Sequence, residues 1–170
     1  MTIEDSIAYL RRQFPSISKK VTYDVDKRGK DFCELILPNE NNENMPVTIT
    51  VNADGCRISA GRMMHISGER EMSVEDAACA INDVVNDRIV FVFKYKNEED
   101  FSDRRACESR FFAITGRDDD MSEEFDALIK KIETPIKNKF QKIFSQNVGI
   151  FEILSFGGEY NKVIKRTSVE

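Results

Sequence analysis

The segment CRISAGRMMHISGE, residues 56–69, holds the only histidine of the 170-residue chain, His65, nine positions after Cys56 and next to Met63 and Met64. An imidazole can ligate a metal, move protons near neutral pH or activate a thiol, so every histidine-based chemistry here has to pass through this residue. Zinc sites normally show short C-x2-C or H-x3-H spacings, because these place two ligands on one turn or one helix face. Here Cys33, Cys56, Cys79 and Cys107 lie 23, 23 and 28 residues apart, and Cys56 and His65 fall on opposite faces of a continuous strand. A metal site is therefore not expected, and no cofactor. A Cys–His dyad has no better support: Cys79 reads as part of the apolar side of a helix, while Cys33 and Cys107 fall in strand-like runs, so all three read as core thiols. No catalytic residue is assigned.

Carboxylates gather in Asp118-Asp119-Asp120, followed by Glu123, Glu124 and Asp126. Hard oxygen ligands of this kind suit Mg or Ca, yet the calcium-loop spacing is absent, and acids before a helix are explained by the helix dipole. Gly157-Gly158 lies between two strand patterns and reads as a turn; neither phosphate-binding glycine motif occurs, and no serine sits in a G-x-S-x-G elbow. The sharpest remaining feature is Glu98, Glu99, Asp100 and Asp103 around Phe101, an acidic segment with one aromatic that suits docking on a basic partner. Arg57, Arg62, Met63 and His65 form a second candidate set, a pocket for a small ligand or a dispersed enzyme site.

The elements that would position these groups follow from periodicity. Ile3, Ile7, Leu10 and Phe14 recur at helical spacing behind Thr2, with Asp5 completing a capping box, and Pro15 ends the helix. From Val21 the period becomes two, giving a hairpin through Lys27-Arg28-Gly29-Lys30 into Phe32–Leu37. The Asn-rich segment 38–46 reads as a mobile loop. Val47, Ile49 and Val51 alternate with polar residues up to Asp54-Gly55, a two-residue hairpin turn that pairs Val51 with Ile58 and Ile49 with Ala60. On this register Ile58, Ala60, Arg62, Met64 and Ile66 share one parity, and Arg57, Ser59, Gly61, Met63 and His65 the polar one, unless Gly61 marks a bulge. Ser73 caps a helix striped by Val74, Ala77, Ala78, Ile81, Val84 and Val85. Ile89–Tyr95, apolar on both parities, reads as a central strand whose Lys94 and Lys96 mark its exit to solvent. Asn97–Asp103 reads as a loop or helical turn, Arg104–Thr115 as a strand, and Ser122 as the cap of a long helix broken at Pro135. Residues 150–165 form a terminal hairpin, followed by frayed residues.

The whole is an α+β protein: mainly an antiparallel sheet built as a meander of hairpins, packed with about three helices in a two-layer single domain. The net charge of −5 concentrates in residues 71–120, with thirteen acids against seven bases. That balance excludes general nucleic-acid binding; Lys130, Lys131, Lys137, Lys139 and Lys142 occupy the later half of an acid-led helix, as its dipole favours. No apolar run reaches the length of a membrane span and the first residues carry acids where a secretory leader carries bases, so a cytoplasmic location with reduced thiols is expected. In layout alone the element order resembles small bacterial partner-binding α+β proteins, the secretion chaperones and toxin-immunity proteins. That resemblance carries over no function and no residue role; the absent catalytic signatures and the acidic middle segment are what point to a non-catalytic domain that binds a protein partner, a basic one, through an acidic surface or an exposed sheet face. The alternative is the ligand-binding or enzymatic site around His65. A homodimer through the sheet or the terminal hairpin is a secondary expectation.

Overall fold

A computed structural model describes residues 1–25, 29, 31–42, 45–61, 64–65, 71–104, 107–114, 121–133 and 149–166. The chain divides into two compact units, Met1–Asn86 and Asp87–Glu170. Both are α+β with antiparallel sheets. The strands belong to two sheets, however, rather than to one continuous meander.

The first unit opens with α1 (Ile3–Gln13), started by the expected capping box: Asp5 N donates to Thr2 Oγ1 at 3.1 Å and Thr2 N donates to Asp5 Oδ2 at 3.2 Å. Hydrogen bonds from the Thr2 side chain and from Thr2 N hold the Asp5 carboxyl below the ordinary aspartate range, because they favour its charged form. A five-stranded sheet follows in chain order: β1 (Ser18–Val25), β2 (Asp31–Leu37), β3 (Val47–Asn52), β4 (Gly55–Ala60) and β5 (Met64–His65). Helix α2 (Val74–Val85) starts at Ser73, whose hydroxyl accepts from Asp76 N. Strict alternation buries Cys33, Leu35 and Leu37 of β2, Val47, Ile49 and Val51 of β3, and Cys56, Ile58 and Ala60 of β4. Helices α1 and α2 supply Ile7, Leu10, Val74, Ala77, Ala78, Ile81 and Val84 to the core, with α1 against β3 and α2 against β4. Each large aliphatic side chain so buried stabilises by about 1.5–3 kcal/mol.

The β3–β4 hairpin departs from the expected register by two residues: Asn52 pairs with Gly55, Val51 with Cys56 and Ile49 with Ile58. The reason is local. Asn52 Oδ1 accepts from Asp54 N at 2.8 Å and Gly55 N at 3.1 Å, so Ala53-Asp54 is the loop and Gly55 already belongs to the strand. A shift of two keeps parity, which is why the buried face is still the expected one. Gly55 is required there: its φ is +145° and a Cβ would lie 2.5 Å from the Met72 carbonyl oxygen, where Cys56 and Met72 exchange backbone hydrogen bonds at 2.9 Å. The segment expected to be a mobile loop carries its own bonds. Asn39 is buried, accepts from Asn41 N and Asn42 N at 3.0 Å each and donates to the Met45 carbonyl, while Met45 itself is fully buried.

The second unit contains β6 (Ile89–Tyr95), α3 (Glu98–Ser102), β7 (Ser109–Ile114), α4 (Met121–Glu133), β8 (Gly149–Leu154) and β9 (Lys162–Arg166). Its sheet runs β7-β6-β8-β9. Strand β6, apolar on both parities, has a neighbour on each side and is buried at every position. Lys94 is therefore not an exit to solvent: it is 4% exposed. One sheet face, with Val90, Val92, Phe151, Ile153 and Ile164, packs under Phe125, Leu128, Ile129 and Ile132 of α4. The helix begins by Met121, so Ser122 lies inside it; Pro135, the run Asp118–Asp120 and the residues after Arg166 lie outside the described residues.

Candidate functional site

The acidic segment is a short helix on a built mount. Asn97 caps α3, its Oδ1 accepting from Asp100 N at 2.8 Å, and three acids, Glu98, Glu99 and Asp100, occupy the first turn, where the helix dipole favours negative charge. Glu98 and Glu99 are exposed, as is Asp103, whose N–H closes the helix on the Glu99 carbonyl at 2.8 Å. Phe101 is half-buried and meets Tyr95 edge-to-face with ring centroids 5.4 Å apart; the Arg104 guanidinium stacks 4.0 Å above the same ring. Phe101 therefore anchors the acids instead of projecting among them.

Beneath this ring lies a polar cluster that sequence reasoning missed. Glu152 on β8 is 5% exposed, and its two carboxylate oxygens are divided between partners: Tyr95 OH donates to Oε2 at 3.0 Å and Arg104 pairs with Oε1. A buried carboxylate is tolerated only when it is paired and hydrogen-bonded, and both conditions hold. The signal was a lone glutamate inside the apolar run GIFEIL. On the other sheet face buried Lys94 reaches Glu108 at 2.6 Å, while the Lys94 carbonyl accepts from Glu108 N at 2.8 Å and lies 3.5 Å from the Cys107 sulfur.

Of the second candidate set, Arg57 and the backbone of His65 are described. Arg57 lies on the half-exposed face of the first sheet, 3.2 Å from Glu71, which also accepts from Asn52 at 3.4 Å. Arg62 and Met63 lie outside the described residues. Strand β4 ends in a turn at Gly61, φ +56°, after which the backbone of His65 pairs with Ser59. The strand is thus not continuous from Cys56 to His65, yet the pairing returns His65 to the Ser59 parity. Cys33 and Cys56 are buried as expected; burial, aided by Glu75, pushes the Cys56 thiol up to about 11. Cys79 is exposed, against the expectation of a core position, because it sits just off the Val74–Ala78–Ile81 stripe. Cys107 is half-buried and precedes β7 instead of lying in it.

A third polar cluster sits at the β8–β9 connection. Asp87 takes a left-handed φ of +56°, is 7% exposed and accepts from Gly157 N at 2.6 Å. Burial pushes its carboxyl above the ordinary aspartate range, against the pull of hydrogen bonds from Gly157, Ser155 and Phe156. Ser155 is fully buried; its Oγ accepts from Gly158 N at 3.1 Å and Tyr160 N at 3.2 Å. The cluster holds a turn closed.

Among the described residues no three His, Cys, Asp or Glu side chains converge as a metal site, and no helix is long and apolar enough to cross a membrane. Comparison with known protein families, with curated proteins and with solved structures finds no match.

Proposed function

We propose that this chain is a non-catalytic cytoplasmic protein-binding domain whose α3 corner contacts a basic partner. The observation that carries the reading is the mount of α3: Glu99, Asp100 and Asp103 stand on a helix fixed by Phe101, Tyr95, Arg104 and Glu152, so little ordering is left for binding to cost. Complementary charge of this kind accelerates encounter and weakens with salt. The four free cysteines, two of them in the core of the first unit, suit a reducing compartment. The test is affinity capture from cell extract with the wild-type chain and with Glu99→Lys/Asp100→Lys, each at low and high salt. A basic protein retained by the wild type at low salt, and lost both on charge reversal and at high salt, is the expected result. A partner held equally by both chains in high salt removes α3 from the interface. Glu98 is left intact because it pairs with Lys165 on β9.

A further inference from the structure

The outer strand of the second sheet, β9, carries a different surface. Its backbone pairs with β8 on one side, Ile153 with Lys162 through Gly149 with Arg166, and it is the last strand of that sheet among the described residues. In an antiparallel sheet alternate residues of an edge strand direct N–H and C=O outward, which is a template for one more strand. Val163, in β9, is 47% exposed, a large apolar side chain left in water on an edge. Around it stand three cations. Lys162 and Arg166 lie on the α4 face, where Lys162 meets Glu133 at 3.3 Å and Arg166 donates to the Ile132 carbonyl at 2.7 Å; Lys165 shares the Val163 parity and meets Glu98 at 2.5 Å.

We infer that the β9 edge binds an extended acidic–apolar segment of a protein partner by antiparallel strand addition. Like charges disfavour a second copy of this chain in the pairing centred on the strand. Two-fold pairing of β9 with itself about Ile164 sets Lys162 against Arg166 of the copy twice, and like charges directly opposite are unfavourable. Charge complementarity selects the occupant: carboxylates opposite Lys162, Lys165 and Arg166, and an apolar residue opposite Val163. Read from N to C in the added strand, the order is acid, acid, any residue, apolar, acid. The ion pairs already made by Lys162 and Lys165 are exposed, so their lysines can share or exchange carboxylates at little cost. This inference does not rest on the α3 reading, since the two surfaces select partners of opposite charge.

The probe is a synthetic peptide containing Glu-Glu-Thr-Val-Glu with a fluorophore at its N-terminus, titrated with the full chain and followed by anisotropy. Saturable binding is expected, weakened about tenfold or more by Val163→Glu and by Lys162→Glu/Lys165→Glu, substitutions at exposed positions. Two further peptides carry N-methyl groups on alternate amides in complementary sets. One set faces β9 and abolishes binding, and the other leaves it intact. Loss with neither set, or with both alike, means charge attraction without strand addition and overturns the proposal, as does a peptide of Lys-Lys-Thr-Val-Lys binding equally well. Sedimentation showing a dimer that Val163→Glu dissolves assigns the edge to a second copy and overturns it too. Circular dichroism of each variant confirms that the fold is kept.

Discussion

Glu152 is the residue on which the second unit's polar chemistry turns. Glu152→Ala strands the Tyr95 hydroxyl and frees Arg104 from its partner, at an expected loss of about 2–4 kcal/mol in urea denaturation. Tyr95→Phe removes one donor and costs about 1–2 kcal/mol. A double-mutant cycle between Tyr95→Phe and Arg104→Ala that shows no coupling would remove the shared role of the carboxylate. The thiols give a second check. At pH 8 Cys79 should react with iodoacetamide in the native chain, whereas Cys56, buried and raised to about 11, should react only after unfolding. Asp87 makes stability depend on pH in the unusual direction for a carboxylate. Its folded-state value lies above its unfolded one, so the folded chain holds the extra proton, and stability falls as pH rises through the interval between the two. Urea melts of the wild type and Asp87→Asn should show the wild type's relative stability greatest below that interval and least above it; a pH-independent difference would refute the assignment.

Elements were legible wherever one face is apolar and the other polar. The starts of α1 and α2, the strand β6 and the alternating faces of β2, β3 and β4 followed from spacing and caps, since those signals are local. The loop between β3 and β4 lies one residue earlier than Asp54-Gly55 predicts, which shifts the register by two, because the Asn52 side chain closes it over Ala53-Asp54. Asn52→Ala should cost about 1 kcal/mol by removing both backbone bonds, and thermal melts will show it. Lys94 misled because a lysine at a strand end is usually solvated; the partner that permits its burial, Glu108, lies fourteen residues away and announces nothing in sequence. The α3 acids were visible, but their anchor was not: the Phe101–Tyr95–Arg104–Glu152 cluster joins three separate segments, a juxtaposition that only the fold creates.

Across the molecule, the antiparallel α+β class was legible, whereas the division of the described strands between two sheets was not. A meander of hairpins can form one sheet or two; here β7 and β8 occupy both edges of β6, so β6 does not continue the order β1 to β5, and hydrophobic patterning does not encode that choice of neighbours. The net charge of −5 and a sequence pI near 5.1 set the chain's colloidal behaviour, so solubility should be lowest close to pH 5 and recover on either side, as turbidity will report. The hydrogen-bonded turn at Asn39 also bears on how the chain can be handled. A label or epitope spliced into residues 39–42 would tear out a buried amide and the carbonyl contact to Met45, whereas Gly29 is exposed, with nothing within 4 Å of where a side chain would begin, and offers the gentler splice point.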